Sequence, residues 1–212
     1  KRQDFTFAVE SDTQYYNEDY DGNTDQSNDG QYQHQMNIHN WLLGNRQRMN
    51  IQYLFHDGDI IDDEPNIQEW EQADAAYKKL DVAKFPYGVL AGNHDVGHLN
   101  GDYSNYTQYF GENRYLSNPW YGGSYKNNRG HYDLISVDGI DFIMLYMGWG
   151  IGDEEIQWMN DVLAQYPERK AILNFHEYLL ASGGLGEEPQ RIYDEVVSKN
   201  ENVCMVLSGH YH

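Results

Sequence analysis

The chain has a single cysteine, few basic residues and no long apolar run. Because Cys204 is the only cysteine among 212 residues, no internal disulfide is possible. Cys204 lies within an apolar run, and we expect it to be a buried core residue. No apolar run approaches the roughly 20 residues that a membrane-spanning helix needs, so the sequence predicts no transmembrane segment.

Basic residues are scarce as well. The chain has 14 lysine and arginine residues against 34 acidic residues, which gives a formal net charge of -20. Proteins that bind nucleic acids carry basic patches, because phosphate contacts dominate their affinity, and no such patch is visible here. The acidity is consistent with simple solubility and also with a raised cation concentration near a metal site. The charge count does not separate these two interpretations.

The residues at Lys1 and after it do not form a signal peptide. This is consistent with a cytoplasmic protein and also with a mature exported domain whose leader has been removed. The composition, which is rich in Asn, Gln and Tyr and poor in Cys, favours a bacterial exported or cell-surface protein.

Strand-like runs alternate with helix-period segments along the whole chain. Predicted strands are Phe5–Val9, Ile51–Phe55, Tyr87–Leu90, Tyr132–Val137, Phe142–Tyr146, Ala171–Phe175 and Val203–Leu207. Predicted helices are Gln31–Arg48, Ile67–Ala83, Asp153–Gln165 and Pro189–Ser198, with Asn66 as the cap of the second. This alternation predicts one α/β domain over residues 1–212, with a mostly parallel core. Asp138-Gly139 predicts a hairpin, and therefore an antiparallel portion or a second sheet.

Five polar motifs each follow an apolar run directly. They are Asp12-Thr13-Gln14, Gly58-Asp59-Ile60-Ile61-Asp62, Gly92-Asn93-His94-Asp95, His176 and Gly209-His210-Tyr211-His212. In an open α/β sheet the carboxyl ends of the strands share one edge, where ligands bind. A single Asp after a strand is usually a cap or turn former, and a single His is more often a surface residue than a ligand. The five together indicate a cluster of O and N donors that suits divalent metals.

This ordered series of motifs resembles that of the calcineurin-like metallophosphoesterases, and the resemblance runs from Asp12 to His212. It implies an α/β fold of two packed mixed β-sheets flanked by helices, a four-layer α/β/β/α sandwich with two metal ions at the strand ends. The implied metal ligands are Asp12, Gln14, Asp59, Asn93, His176, His210 and His212. Asp59 would bridge the two ions.

The resemblance also implies two catalytic residues. His94 would stand beside the metals and interact with the phosphoryl or leaving group, and Asp95 would orient His94 through a carboxylate–imidazole hydrogen bond. Asp62 would support the site without binding metal. The implied activity is hydrolysis of a phosphomonoester or phosphodiester by a metal-bridging hydroxide.

The first motif departs from the family pattern, because Gln14 stands where the family usually has His. An amide oxygen is a poorer donor than imidazole, so among Mn, Fe and Zn we expect Mn or Fe to be favoured. The chain also stops on a proposed ligand, His212, which favours a C-terminally truncated domain. These two departures leave an alternative function open, that of a catalytically silent surface binding or adhesion module that keeps the fold.

The remaining histidines receive simpler interpretations. We expect His34 and His39 to be exposed on a helix, and His56 to be a packing or supporting residue. The segment Gly97–Gly130 is long for a loop and predicts an ordered insertion beside the site. His98 and His131 could approach the site from that insertion, although a surface or packing role is the stronger expectation for each.

Overall fold

Two β-sheets pack face to face in the computed structural model, which describes residues 4–17, 32–97 and 101–211. The first sheet has three parallel strands in the order β1-β2-β3, and the second has five strands in the order β4-β5-β6-β7-β8. The strands are β1 (Thr6–Glu10), β2 (Ile51–His56), β3 (Tyr87–Val89), β4 (Tyr121–Tyr125), β5 (Gly130–Val137), β6 (Ile140–Met147), β7 (Lys170–Phe175) and β8 (Val203–Leu207).

Helices cover the outer faces of both sheets. The described residues form the helices α1 (Gln14–Asn17), α2 (Tyr32–Asn45), α3 (Ile67–Val82), α4 (Ser104–Phe110), α5 (Asp153–Gln165) and α6 (Glu187–Glu195). One buried cluster joins the first sheet to α2, α3 and α4, and another joins the second sheet to α5 and α6. None of these helices has both the length and the apolar character that a membrane crossing requires.

Aromatic side chains fill the space between the two sheets. Phe7 lies against Phe142 with ring centroids 5.2 Å apart, and Phe55 stacks on Tyr146 at 6.3 Å. Strands that are buried on both faces read as continuous apolar runs, which is the pattern of β2, β6 and β7. The layers therefore follow the order α/β/β/α, and the predicted fold class is confirmed, with the first sheet wholly parallel.

Local turn and cap chemistry agrees with the sequence. The residues Asp138 and Gly139 have φ values of 50° and 77° and connect β5 to β6 as a tight antiparallel hairpin. The Asn66 side chain accepts a hydrogen bond from the Gln68 N–H, and so caps α3. The insertion before β5 is ordered where the structure describes it, since it contributes α4 and β4.

Two burial predictions were wrong. His39 is fully buried, because α2 packs its inner face on α3 and β1, where the ring contacts Glu10 and Ala76. Cys204 is exposed, because β8 is the edge strand of the described second sheet and its outward residues have no covering layer there. His34 is exposed, as expected.

The buried His39–Glu10 pair generates a stability prediction. His39 Nδ1 lies 2.7 Å from the Ala76 carbonyl oxygen and Nε2 lies 3.0 Å from Glu10 Oε2. Both partners are acceptors, so both ring nitrogens must carry protons. Removing one member of a buried pair typically costs about 3–5 kcal/mol. We expect His39→Ala to lower the free energy of unfolding by that amount in urea titrations with EDTA present, and the exposed control His34→Ala to leave it nearly unchanged. Equal midpoints for the two variants would contradict this assignment.

The same pair predicts a pH dependence. Burial, the largest effect, would lower the pKa of His39, but the charge and hydrogen bond of Glu10 outweigh it and raise this pKa. A raised folded-state pKa gives stability that is complete below the unfolded value, about 6.5, and is lost as the pH rises through the folded value. In alkaline urea titrations, the wild-type protein should lose this increment, while His39→Ala should show a flatter dependence.

Candidate metal centre

Loops from both sheets meet at the carboxyl ends of the parallel strands. The Asp12 N–H donates to the Gly58 carbonyl oxygen at 3.0 Å, which joins the loops after β1 and β2. The Gly209 N–H donates to the His176 carbonyl oxygen at 3.0 Å, which joins the loops after β8 and β7. The topology therefore gathers the sequence motifs at one edge of the molecule.

Four of the predicted ligands lie in direct contact. His176 Nε2 is 3.1 Å from Asp59 Oδ2, 3.1 Å from Asn93 Oδ1 and 3.1 Å from His210 Nδ1. Donor atoms of Asp59, His176 and His210 all lie within 4.8 Å of one another. Carboxylate oxygen, amide oxygen and imidazole nitrogen thus converge on one small volume, and this donor set fits a divalent cation such as Mn, Fe or Zn.

The His176 ring is held in the tautomer that a metal ligand requires. Its Nδ1 lies 2.7 Å from the Asp57 carbonyl oxygen, which can only accept, so Nδ1 carries the proton. Nε2 then faces Asp59, Asn93 and His210. Burial, the largest effect, would lower the pKa of His176, but the hydrogen bond and charge of Asp59 outweigh it and raise this pKa, so a cation at Nε2 would displace a proton. Histidines that bind metals almost always donate their other N–H to such an acceptor.

Asp12 and Gln14 lie on the β1 side of the cluster. The Asp12 carboxylate accepts the His210 N–H at 3.0 and 3.2 Å and the Ser11 hydroxyl at 2.5 Å. Gln14 begins α1, and its buried Oε1 has no hydrogen-bond partner among the described residues. A buried acceptor left without a donor is costly, and a cation at this place would satisfy it. The predicted ligand His212 lies outside the described residues.

The backbone around the cluster is unusual at three of these positions. Asp12, Asp59 and His210 have φ values of 54°, 54° and 72°, in the left-handed region that non-glycine residues rarely adopt. Gly92 and Gly209 flank them, and a Cβ at either would collide with the carboxylate of Asp59 or of Asp12. Such conformations persist where the surroundings fix them, which is typical of ligand sites.

The electrostatics of the cluster suit a cation. Burial, the largest effect, would raise the pKa of Asp59, but the hydrogen bond and charge of His176 outweigh it and lower this pKa. Burial and the neighbouring His176 together lower the pKa of His210. Asp59 is therefore kept ionised and His210 neutral, which are the protonation states that coordinate metal.

His94 and Asp95 take different places from those expected. Asp95 is fully buried, and its carboxylate accepts the N–H groups of Ile60, Ile61 and Gly92 at 2.8–3.1 Å. The His94 ring instead contacts Asp62, since Nδ1 lies 2.8 Å from the Asp62 carbonyl oxygen and 3.1 Å from Oδ1. The expectation that Asp95 orients His94 is wrong, because the short turn His94–Val96 carries Asp95 inward while His94 stays partly exposed.

His94 Nε2 lies 4.0 Å from Asp59 Oδ2, and the His94 side chain is partly exposed. The His94 N–H also donates to Asp59 Oδ1 at 3.0 Å, so its backbone is fixed by a candidate ligand. Asp62, for which the resemblance implied a supporting role without metal contact, is thus the carboxylate that faces His94.

Trp149 is a neighbour of the cluster that the motifs alone do not reveal. Its ring centroid lies 5.8 Å from that of His176 and 5.4 Å from that of His210. His56 is buried behind the site and contacts the Thr13 hydroxyl at 2.8 Å, as a supporting residue. His131 lies between the sheets, stacked on Tyr146, and His98 falls outside the described residues.

Comparison with known sequences gives a consistent picture. The family model of the calcineurin-like phosphoesterases matches residues 5–212. The uncharacterized protein YvnB of Bacillus subtilis (strain 168) is 53% identical over 208 residues, which are 98% of this chain and 15% of that protein. A probable glycerophosphodiester phosphodiesterase, GpdQ, of Arcobacter nitrofigilis is 27% identical over 170 residues, 73% of this chain and 54% of that protein. The chain therefore spans only part of the length of these relatives.

Solved structures share the fold at low sequence identity. A dimetal phosphatase from Danio rerio superposes with a TM-score of 0.61 at 16% identity, over 98% of this chain and 82% of that one. A purple acid phosphatase from yellow lupin superposes with a TM-score of 0.58 at 17% identity, over 97% of this chain and 37% of that one. The family match over nearly all residues, together with the gathered strand-end motifs, shows that the chain belongs to the calcineurin-like phosphoesterase family of metal-dependent hydrolases.

Proposed function

We propose that this domain hydrolyses a phosphomonoester or phosphodiester at a centre of two divalent metal ions. The observation that carries the proposal is the convergence of Asp59, Asn93, His176 and His210, with His94 beside them. Two bound cations would supply positive charge for the phosphoryl oxygens and would lower the pKa of a water molecule at the site.

The donor positions support a division into two sites. Asn93, His176 and His210 would hold one ion, and Asp12, Gln14 and His212 would hold the other. Asp59 would bridge them, because its carboxylate faces His176 and lies between the loops that carry the two sets. The unpartnered Gln14 Oε1 supports a ligand role for this residue, with oxygen-tolerant Mn or Fe favoured.

His94 would act as the proton donor to the leaving oxygen. Its Nδ1 must carry a proton, because the neighbouring Asp62 oxygens can only accept. A second proton on Nε2 would then face the substrate, and the Asp62 carboxylate would stabilise the resulting imidazolium. Asp95 would act further back, by holding the loop that carries His94 and Asn93.

The alternative, a silent binding or adhesion module, receives less support from this geometry. Such a module would have no use for a histidine that is oriented by a carboxylate and lies beside a candidate metal ligand. The His94–Asp62 contact therefore favours the hydrolase.

The proposal predicts separable effects of two substitutions. The purified protein should contain metal and should hydrolyse a chromogenic phosphoester when Mn is added. His94→Ala should keep its metal but lose turnover by about 10²–10⁴-fold, the usual contribution of a general acid. Asp59→Asn should lose both, because the bridging carboxylate is weakened. Metal analysis measures the bound metal, and the chromogenic assay measures turnover. A His94→Ala variant with full turnover would exclude His94 as the proton donor.

Asp62 and Asp95 should differ in what they control. Asp62→Asn removes the carboxylate that faces His94 and should reduce turnover at unchanged metal content and folding stability. Asp95→Asn replaces an oxygen that accepts backbone N–H groups and should lower the free energy of unfolding by about 1–3 kcal/mol. Urea titrations of the metal-free variants, together with steady-state rates, separate the two. If Asp62→Asn turned over like the wild type, Asp62 would have no positioning role.

Gln14 provides a test of the first metal position. Gln14→His should raise metal affinity and shift the preference towards Zn, because imidazole is a stronger and softer donor than an amide oxygen. The control Gln52→His, on β2 away from the cluster, should leave affinity and preference as they are. Competition between Mn and Zn, followed by metal analysis, gives the ratio of bound Zn to bound Mn. An unchanged ratio in Gln14→His would mean that position 14 does not bind metal.

A further inference from the structure

A polar cavity of about 210 Å³ opens at the carboxyl end of β6. Its walls include Tyr103, Tyr125, Arg129, Trp149 and Glu155. β6 runs parallel to β7, with Met147 paired to Phe175, so the cavity lies one strand away from His176 at the same edge of the sheet. None of the candidate metal ligands that the structure describes lines it.

Trp149 connects this cavity to the metal centre. Its ring packs against His176 and His210, and it also forms part of the cavity wall. The backbone N–H of Trp149 donates to the Ala91 carbonyl oxygen at 2.9 Å, next to the loop that carries Asn93. The preceding Gly148 N–H donates to the Arg129 carbonyl oxygen at 2.8 Å. A substrate that reaches from the metals past Trp149 would therefore arrive beside Arg129.

Arg129 forms no close ion pair with a described residue, and its charge contributes only a smaller part, after the hydrogen bonds from Ser104, to the lowered pKa of the exposed Asp102. Its guanidinium lies over the Tyr103 ring at 4.5 Å, and no carboxylate oxygen of the described residues lies within 4.0 Å of it. In contrast, Arg114 and Arg191 both form ion pairs. A guanidinium left unpaired in a chain of net charge -20 is available for an anion from outside.

The other charged groups of the cavity already have partners. Lys126 Nζ lies 2.7 Å from Glu154 Oε2. Glu155 accepts the Tyr125 hydroxyl and, at 2.9 Å, the Gly152 N–H. A second hollow of about 340 Å³ borders Asp102, Tyr103, Lys126 and Arg129, so Arg129 lines both hollows. Arg129 and Glu155 are thus the two charged groups of the cavity without an ion-pair partner among the described residues, and Arg129 is the one that an anion would contact.

We infer that this cavity is a substrate subsite in which Arg129 binds an anionic group, a carboxylate or a second phosphate, on the alcohol part of the phosphoester. The inference rests on the proposed function, since it assigns a substrate class to the same centre. The flat faces of Trp149, Tyr103 and Tyr125 would hold the carbon part of that alcohol, and the small volume limits it to a few heavy atoms.

The test compares two matched substrates, phenyl phosphate and 4-carboxyphenyl phosphate, with the Mn-loaded protein. The wild type should show a higher kcat/KM for the carboxylated ester, through a lower KM. Arg129→Gln should raise KM for that ester by about tenfold or more, because hydrogen bonds to charged groups are worth about 1.5–3 kcal/mol, and should change phenyl phosphate little.

Two further variants separate charge from folding. Arg129→Lys keeps the charge and should retain part of the preference for the carboxylated ester. Arg46→Gln is the matched control, since Arg46 lies over the Phe85 ring at 4.9 Å on another face and should keep the full preference. The inference is overturned if the wild type does not prefer the carboxylated ester, or if Arg129→Gln keeps that preference.

Direct binding distinguishes failure of the inference from failure of the proposed function. If neither ester is hydrolysed, the proposed function has failed, and the subsite is then tested by titrating sulfate into EDTA-treated protein at constant ionic strength. Saturable quenching of tryptophan fluorescence that disappears in Trp149→Phe and in Arg129→Gln supports an anion subsite. Quenching that is absent, or that survives in Arg129→Gln, overturns it.

Discussion

One hydrogen bond, from the His176 ring to the Asp57 carbonyl oxygen, joins the two sheets at the point where the site forms. His176 follows a strand of the second sheet, and Asp57 follows a strand of the first. The bond fixes both the distance between the sheets and the tautomer of the ring. Without it, Nε2 would not face Asp59, Asn93 and His210 together. The aromatic side chains packed between the two sheets also hold the sheets together, so the fold and the site depend on the same interface.

The features of this arrangement that reduce folding stability lie in the loops around the site. Asp12, Asp59 and His210 adopt left-handed backbone, and an unpartnered Gln14 oxygen is buried beside them. Buried polar atoms and rare backbone conformations both reduce stability. A bound cation would offset these terms, because it would satisfy the oxygens directly and fix the loops that carry them. We therefore expect the protein to be more stable with bound metal than without it.

Much of the fold follows from local sequence. Val203–Leu207 and Asp153–Gln165 have the predicted bounds, because apolar runs and helical periodicity dominate there. The strand-end motifs could likewise be gathered on one edge by topology alone. Long-range partners could not be predicted: His39 is buried because of Glu10, 29 residues away in sequence, and the exposure of Cys204 depends on what covers β8. The choice between Asp62 and Asp95 beside His94 is set by one short turn, whose orientation no periodicity encodes.

The contact between Asp12 and the His210 N–H links residues 198 positions apart, at the two ends of the described chain. Contacts of such long sequence separation form late, since the entropy of closing the loop must be overcome first. During synthesis on the ribosome, Asp12 would emerge long before His210 had been added to the chain. Capture of the cation would then have to wait until the loop after β8 is made, and a chain interrupted before His210 would lack one of the candidate ligands.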